Sequence, residues 1–358
     1  MADKADIQKD SISLAAVGDI LMGVQIVESD GTLHEPLRKD PKSAFKFVAP
    51  IVKKADIGFF NLEAPLSYKG KVPKGKAHGW RSSPDMAAII SSAGFNIASV
   101  ANNHIMDFGA EALMDTLEQL AKNNIAYVGA GRNISEARKP LILERKGARI
   151  GFIGYCSNVG LRPQAAASDK RPGIAVVRVS PLYASPQINE ESLELMVEDI
   201  QKTRSSADLA ILSFHTSLSL TKEGGGSHTL GVHQVGAAHA AIDAGADLVL
   251  GHGPHLLQGI EVYKGKVIFY NLGQLIVDRD VPDEYKNTII LNCEISDKKI
   301  QRVSFLPVAL NEQKQPEPLT STDERCHKIN ELMVKLSRKL GTTLYFEGVE
   351  GVVKTSVE

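Results

Sequence analysis

The most constraining feature of the sequence is the stretch ADLVLGHGPHLLQGIEVYKGKVIFYNLGQL, residues 246–275. It opens with a short apolar run, residues 248–250, which lies between two glycines and has the pattern of a buried strand. The run is followed at once by the turn GHGPH, which carries His252 and His255. Loops at the C-terminal ends of buried strands are where α/β proteins bind ligands. The stretch therefore predicts an α/β fold with a histidine-rich site at a strand end.

The same arrangement of an apolar run followed by a metal-capable side chain occurs four more times along the chain. The residues that end all five runs are Asp19, Glu63, Asn103 with His104, His215, and His252 with His255. In an open sheet such strand ends lie along one edge, so residues remote in sequence converge there. Histidine, amide and carboxylate ligands suit Mn, Fe, Zn or Ni, with Ca or Mg also open. We therefore expect two divalent metal ions, because two metal ions about 3.5–4 Å apart commonly serve to generate hydroxide.

Each of these residues also has a purely structural explanation. Asp19 would cap a turn, Glu63 would pair with a lysine, and His104 would be a hydrogen-bonded histidine of the core. Five repetitions of one placement favour a shared site over separate explanations.

The composition excludes several other classes of protein. With 358 residues, of which 43% are hydrophobic, the chain can bury the core of one large α/β domain or of two smaller ones. The net charge is −1 without a long basic run, so no nucleic-acid surface is predicted. The apolar runs are far shorter than the roughly 20 residues of a membrane helix, and the first residues lack a signal-peptide pattern. We therefore expect a cytoplasmic protein without a membrane anchor.

Hydrophobic periodicity and turn residues predict the main elements. Helices are predicted over residues 42–54, 84–92, 110–123, 190–205, 231–244 and 322–340. A hairpin that turns at Lys146-Gly147, a second that turns at Lys264-Gly265 and a strand pair over residues 287–295 and 300–307 are also expected. The three cysteines, Cys156, Cys293 and Cys326, have neither zinc-finger spacing nor a disulfide pattern.

Several motifs occur together in a specific order. They are Gly18-Asp19 with Gly23, Asn61-Leu62-Glu63, Ala101-Asn102-Asn103-His104 with Asp107 and Gly109, Gly245-Ala246-Asp247, Gly251-His252-Gly253-Pro254-His255, and the pieces 259–263 and 269–273. This combination resembles the CapA family of bacterial capsule or poly-γ-glutamate synthesis proteins over about residues 12–310. That family is similar to a branch of the calcineurin-like metallophosphoesterases. The resemblance implies a four-layer α-β-β-α sandwich with a two-metal site at the strand ends. We expect one such domain over residues 1–310, followed by a C-terminal helical extension, residues 311–358, packed on it.

The resemblance also implies roles for individual residues. Asp19 and His255 would hold one metal ion. Asn103, His215 and His252 would hold the other. Glu63 would bridge the two ions, in a place that an aspartate usually fills in the phosphoesterases.

Three further residues would act on the substrate. His104 would be a proton donor or an oxyanion partner, and Asp107 would orient it, as carboxylates commonly orient histidines at metal sites. Arg81 would clamp an anion, because its planar fork suits carboxylate or phosphate. A surface salt bridge is an equal alternative for Arg81.

Three positions depart from the pattern that the resemblance implies. Leu21 stands where the phosphoesterases usually have a histidine, so one metal site would be a ligand short. Thr216 follows His215 where the family often has tryptophan, and Gln274 replaces the asparagine of a Leu-Gly-Asn motif. These departures affect the expected substrate side more than the fold.

Three functions follow as hypotheses. The first is a metal-dependent hydrolase acting on a phosphoester or on an amide or peptide-like bond of a small-molecule or peptide-like anionic substrate. The second is a metal-dependent peptide epimerase that uses the same acid/base site. The third is a non-catalytic accessory protein of poly-γ-glutamate assembly that binds an acidic chain through metal and arginine. The sequence leaves the oligomeric state open.

Overall fold

The computed structural model describes residues 11–27, 33–34, 40–73, 78–157, 163–180, 187–216 and 227–355. The α-helices of these ranges are α1 (Ala49–Val52), α2 (Met86–Ser92), α3 (Gly109–Lys122), α4 (Ile134–Ala137), α5 (Glu190–Ser206), α6 (Val232–Asp243) and α7 (Glu324–Arg338). Short 3-10 helices cover Pro41–Phe45, Pro163–Ala165 and Asp283–Lys286.

The strands of the same ranges are β1 (Ile12–Leu21), β2 (Val24–Val27), β3 (Leu33–His34), β4 (Ile57–Leu62), β5 (His78–Arg81), β6 (Ile97–Ser99), β7 (Ala126–Val128), β8 (Ala130–Gly131), β9 (Leu141–Arg145), β10 (Ala148–Ser157), β11 (Gly173–Ile174), β12 (Val176–Val177), β13 (Val179–Ser180), β14 (Gln187–Ile188), β15 (Leu209–His215), β16 (Leu248–His252), β17 (Ile260–Tyr263), β18 (Lys266–Phe269), β19 (Gln274–Val277), β20 (Asn287–Ser296), β21 (Lys299–Leu310), β22 (Pro316–Pro318), β23 (Leu344–Glu347) and β24 (Glu350–Val353). Together with the helices they form a mixed α/β protein.

Two large sheets organise the molecule. The ten-stranded sheet has the order β23-β24-β21-β20-β1-β4-β6-β7, with β19 paired to β1 and β22 paired to β21. The seven-stranded sheet has the order β12-β10-β15-β16-β18-β17, with β9 paired to β10. In the first sheet β1, β4, β6 and β7 run parallel, and in the second β10, β15, β16 and β18 do. Each sheet therefore presents several C-terminal strand ends at one edge.

The candidate site residues come from both of these edges. Asp19 lies near the end of β1 and Glu63 directly follows β4, whereas His215 and His252 end β15 and β16. The expectation that these residues all lie at one edge of one open sheet was therefore wrong. The physical reason is that the apolar runs identify strands but not the sheet to which each strand belongs.

The apolar core is divided by the sheets. Because successive side chains of a strand point to opposite faces, Ile12, Leu14 and Ala16 of β1 join one cluster and Ala15 and Val17 join another. The first cluster contains residues from both large sheets and also buried residues of α7. The second contains mainly residues of the ten-stranded sheet with α2 and α3, together with Cys156 of β10. A third contains the seven-stranded sheet with α5 and α6.

Most predicted elements are confirmed, since α3, α5 and α6 begin and end within two residues of the predicted bounds, and both predicted hairpins form. The predicted helix over residues 42–54 was wrong. A 3-10 helix, Pro41–Phe45, is followed there by the separate helix α1, which begins at Ala49. Pro50 causes the break, because proline lacks an N–H and is tolerated in the first turn of a helix but not in its interior.

The region after residue 310 holds more than a helix. Helix α7 is followed by the hairpin of β23 and β24, and β24 pairs with β21 at the edge of the ten-stranded sheet. Leu344 packs against the cluster between the sheets. The division of the chain at residue 310 stays a prediction. Within the described ranges, no helix has the length and apolar character needed to cross a membrane.

Candidate metal centre

Asp19 is held at the end of β1 by close backbone packing. The neighbouring Gly18 has no room for a side chain, since a Cβ there would lie 1.9 Å from the carbonyl oxygen of Gly273. That same oxygen accepts a hydrogen bond of 3.2 Å from the backbone N–H of Asp19. The Asp19 side chain is fully buried. Glycine at this position therefore lets β1 approach the loop before β19 and directs the carboxylate inward.

Both oxygens of the Asp19 carboxylate contact other site residues. Oδ1 accepts a hydrogen bond of 2.8 Å from the Asn61 amide and lies 3.7 Å from Nδ1 of His252. Oδ2 lies 2.9 Å from Nδ1 of His255 and accepts from the backbone N–H of Gly253 at 3.3 Å. Asp19 therefore joins residues from both large sheets.

Glu63 lies between two histidines. Its Oε1 is 3.6 Å from Nε2 of His215, and its Oε2 is 3.6 Å from Nδ1 of His255. The side chain is fully buried, yet neither oxygen has a hydrogen-bond partner among the described residues. Asp19, Glu63 and His255 each offer a ligand atom, and these atoms lie within 4.8 Å of one another.

His215 is held on both sides of its ring. Nε2 lies 2.8 Å from Oδ1 of Asn103, and Nδ1 lies 3.3 Å from the amide nitrogen of Asn61. Its Cα is directly opposite that of His252 in the pairing of β15 with β16. The structure thus brings together Asp19, Glu63, Asn103, His215, His252 and His255.

The turn after β16 adopts unusual backbone conformations. Gly253 has φ +110, and a Cβ at this residue would lie 2.4 Å from the carbonyl oxygen of Thr216. His255 has φ +61, which is uncommon for a residue with a side chain. Such strain persists where the surroundings determine it, and it is frequent at functional sites. Here it accompanies the contact of the His255 ring with both buried carboxylates.

The two buried carboxyl groups are held in opposite charge states. Burial would raise the pKa of Asp19, but the hydrogen bond with His255 and the neighbouring imidazoles hold it well below its usual range. Burial, and then the negative charges of Asp19 and Asp107, hold the pKa of Glu63 well above its usual range. Two adjacent carboxylates without a cation between them cannot both ionise easily.

Burial also keeps His215 and His252 neutral, because it lowers the pKa of each ring. It lowers the pKa of His215 to about 3 and that of His252 to about 4. Neutral imidazole is the form that binds metal ions, so these rings need not lose a proton to become ligands at neutral pH.

The donor set fits a divalent ion. Bonds of about 2.0–2.2 Å from a metal to nitrogen or oxygen place neighbouring ligand atoms about 3–3.6 Å apart, close to the separations between Glu63 and its two histidines. Neither oxygen of Glu63 nor either ring nitrogen of His252 has a hydrogen-bond partner in the described part of the chain. Buried polar atoms are costly without a partner, and divalent cations would satisfy the two Glu63 oxygens and the unprotonated ring nitrogen of His252.

His104 and Asp107 form a pair beside these residues. Nδ1 of His104 lies 2.9 Å from Oδ2 of Asp107. Asp107 is fully buried, and the same oxygen accepts a hydrogen bond of 2.7 Å from the backbone N–H of Trp80. The carboxylate therefore favours the tautomer of His104 with its proton on Nδ1.

Arg81 forms no salt bridge with any described residue, which was the alternative to its role as an anion clamp. Its guanidinium donates hydrogen bonds to the carbonyl oxygens of Tyr68, Lys69 and Gly70 and stacks 3.5 Å from the centre of the Phe108 ring. These contacts anchor residues 68–70 and engage the fork that was expected to bind an anion. The role of Arg81 as a clamp stays a prediction.

Two asparagines that the prediction of the ligands did not include, Asn61 and Asn102, support the site. The amide nitrogen of Asn102 donates to the carbonyl oxygen of Leu62 at 2.7 Å and to Oδ1 of Asn61 at 3.1 Å. Asn61 in turn donates to Asp19. These bonds fix the orientation of the Asn61 amide, with its nitrogen toward His215. Both residues occur in the quoted motifs, and their buried positions at strand ends were the available signal.

The structure describes the surroundings of all three departing positions. Leu21 is buried in an apolar cluster with Ala64, Trp80 and Val277, so it packs as a core residue. Gln274 is buried opposite Asp19, and its amide nitrogen has no partner among the described residues. Thr216 is also buried, and its backbone N–H donates a hydrogen bond of 2.9 Å to the carbonyl oxygen of His252. Ser217 and Leu218, which follow it in the chain, lie outside the described residues.

The fold and these side chains define a mixed α/β protein with a candidate divalent-metal centre at the ends of parallel strands. The family model of the bacterial capsule synthesis protein PGA_cap matches residues 13–279. The chain belongs to this family, which confirms the expected resemblance to CapA proteins.

Curated relatives agree with the family assignment. The chain is 30% identical over 272 residues to the PGA biosynthesis protein CapA of Bacillus subtilis (strain 168), covering 75% of this chain and 64% of that protein. It is 27% identical over 320 residues to the capsule biosynthesis protein CapA of Bacillus anthracis, covering 88% of this chain and 71% of that protein. A probable polyglutamine synthesis accessory protein of Mycobacterium tuberculosis is 29% identical over 225 residues, and the match covers 62% of this chain and 56% of that protein. The match thus spans less than two thirds of the Bacillus subtilis protein.

Proposed function

We propose that this protein is a metal-dependent hydrolase that acts on a phosphoester or amide bond of an anionic substrate in capsule biosynthesis. The observation that carries the proposal is the convergence of two buried carboxylates and three histidines from two sheets. The side-chain oxygens of Glu63 and the ring nitrogens of His252 have no hydrogen-bond partner in the described part of the chain. A purely structural polar cluster would be expected to satisfy its buried members.

The proposed ligands fall into two groups that Glu63 joins. Asp19 and His255 form one group, supported by their separation of 2.9 Å. Asn103 and His215 form the other, supported by their separation of 2.8 Å. Glu63 has one oxygen toward each histidine, which suits a bridging carboxylate. His252 completes the second group in this proposal, although its contact of 3.7 Å with Asp19 also suits the first.

The chemistry divides between the ligands and the His104 pair. When bound, divalent ions would supply the positive charge that activates water and stabilises a negatively charged transition state. His104 transfers a proton through Nε2, since Asp107 holds the other ring nitrogen. Asp107 positions His104 and, through Trp80, fixes it relative to β5. Asn61 holds the Asp19 carboxylate and the His215 ring in place.

We assign the four-layer α-β-β-α sandwich to residues 1–310, with residues 311–358 packed on it as an extension. The support is the division of the core into one cluster that holds both sheets and two clusters in which one sheet packs mainly against its own helices.

A non-catalytic accessory role is the second candidate. It is favoured by the name of the Mycobacterium tuberculosis relative, a probable polyglutamine synthesis accessory protein. In that role the same ligands would bind metal, and the metal would bind an acidic chain without breaking a bond.

The test combines metal analysis with a substrate panel. We expect at least one divalent ion per chain, and release of phosphate or amine that is lost on substitution of Asp19→Asn. His239→Asn is the matched control, because His239 pairs with Glu261 at a partly exposed position. Deuterium uptake from heavy water without bond cleavage would instead indicate an epimerase. Metal-dependent binding of γ-linked glutamate without either reaction would indicate the accessory role. Failure to bind any divalent ion would overturn the proposal.

A further inference from the structure

Arg279 lies at the same edge of the structure as the candidate metal centre. It follows β19 by two residues, and β19 runs parallel to β1 with Gln274 opposite Asp19 and Val277 opposite Leu21. The Arg279 side chain is exposed. The chain direction therefore carries this arginine just beyond the strand end at which Asp19 lies.

Trp80 connects Arg279 to the His104 pair. The guanidinium carbon of Arg279 is 5.6 Å from the centre of the Trp80 ring, a distance typical of a cation–π contact. Trp80 is itself buried, and its backbone N–H donates to the Asp107 carboxylate that holds His104. The rigid ring of Trp80 thus positions Arg279, and the backbone N–H of the same tryptophan is part of the site.

Arg279 differs from Arg81 in its hydrogen bonds. Three carbonyl oxygens engage the guanidinium of Arg81. Arg279, by contrast, contacts the Trp80 ring and forms no hydrogen bond or ion pair with any residue of the described ranges. Its positive charge nevertheless acts on Glu63, where it partly offsets the rise in pKa that burial and nearby carboxylates cause.

We propose that Arg279, rather than Arg81, recognises the negatively charged group of the substrate, a carboxylate or a phosphate, at the rim of the metal centre. The planar fork of arginine can donate two parallel hydrogen bonds to either group. This inference rests on the proposed function, because it assigns a substrate contact to the same site. Trp80 holds the guanidinium at the rim and leaves its N–H groups for the ligand.

The experiment measures binding to the full chain by calorimetry, with manganese and separately with EDTA. The probes are a γ-linked glutamate trimer, the same trimer with amidated carboxylates, and inorganic phosphate. Arg279→Gln should weaken binding of the preferred anion by about 10–100-fold, since hydrogen bonds to charged groups are strong. The affinity of Arg279→Lys for the same anion should lie between those of the unsubstituted protein and Arg279→Gln. The affinity for the amidated trimer should not change when Arg279 is substituted. Lys122→Gln is the control, because it removes an exposed positive charge at the end of α3.

The outcomes separate this inference from the proposed function. Loss confined to the trimer identifies a carboxylate, and loss confined to phosphate identifies a phosphate. Unchanged affinity of Arg279→Gln for both anions overturns the inference, as does failure of the unsubstituted protein to bind either. If manganese does not bind but the trimer still depends on Arg279 in EDTA, the metal-dependent function fails and the anion site stands.

Discussion

Replacement of Glu63 by glutamine should abolish the response of the protein to metal without weakening the metal-free fold. In the metal-free protein the pKa of Glu63 is held well above its usual range, first by burial and then by the charges of Asp19 and Asp107. The protonated carboxyl is similar in shape to the neutral glutamine amide. Glutamine cannot, however, supply the negative charge and two oxygens that a bridging ligand needs.

The size of the metal response follows from linkage. A ligand present at 100 times its Kd adds about 2.7 kcal/mol to the free energy of unfolding. With about 2.1 cal/mol/K of unfolding entropy per residue, the 358 residues of the chain give about 0.75 kcal/mol/K. The melting temperature of the wild-type protein should therefore rise by about 4 °C, and that of Glu63→Gln by much less.

The pH dependence of the stability of the metal-free protein provides a second test of the charge state of Glu63. Because the pKa of Glu63 is higher in the folded than in the unfolded state, the folded state binds more protons above pH 4.5. Stability is therefore lost as pH rises from that value toward the folded pKa, by up to about 1.4 kcal/mol per pH unit. Glu63→Gln lacks this loss, so it should be more stable than the wild type at neutral pH in EDTA and nearly equal to it at pH 4.

The assay is thermal unfolding with manganese, with zinc and with EDTA, at several pH values. Asp19→Asn is the contrasting variant, because the pKa of Asp19 is lowered and its ionised form accepts the bonds of the site. That variant should lose stability at neutral pH even in EDTA. A metal-induced rise that survives in Glu63→Gln, or an equal loss of stability in both variants in EDTA, would refute the reasoning.

Three further predictions concern single residues. His104→Asn should retain metal, measured by elemental analysis, and lose about 10²–10⁴-fold in kcat, whereas loss of metal would make His104 a ligand. Titration should show two unequal metal affinities, with His215→Ala losing more metal than His255→Ala; equal loss would contradict this ranking. Asp56 accepts bonds from Ser13 and Lys146, which outweigh partial burial and lower its pKa, so Asp56→Asn should cost about 1–2 kcal/mol at neutral pH. The loss of unfolding free energy in Asp56→Asn should shrink as the pH falls through the pKa of Asp56 in the folded protein. Denaturant titrations that give the same loss at every pH would contradict this prediction.

The sequence could predict the members of the site because each follows an apolar run. Asp19, His215 and His252 stand at the ends of buried strands, as the pattern indicated. The sheet to which each strand belongs was not predictable in the same way. Pairing depends on contacts between segments far apart in the chain, and the hydrophobic pattern of a buried parallel strand is the same in either sheet.

Two features could not be predicted from local patterns, namely the contacts of Arg81 and the terminal hairpin. Arg81 binds three carbonyl groups of residues 68–70, and no local pattern around it distinguishes that arrangement from an exposed clamp. The terminal hairpin of β23 and β24 had only Gly348, with φ +64, as its turn signal. The helix predicted over residues 42–54 failed for a local reason instead, because Pro50 is tolerated only in the first turn of a helix and therefore divides the apolar stretch.

The charge states of Asp19 and Glu63 follow from the meeting of the two sheets. Asp19 and Glu63 lie at the ends of the adjacent strands β1 and β4, whereas His255, which hydrogen-bonds Asp19, follows β16 of the other sheet. The histidine favours ionisation of Asp19, and the ionised Asp19 then opposes ionisation of Glu63. A divalent cation reverses this opposition, because it attracts both carboxylates. Binding of the metal is therefore expected to release a proton from Glu63, and Glu63→Gln should remove that release in calorimetry performed in buffers of different ionisation enthalpy.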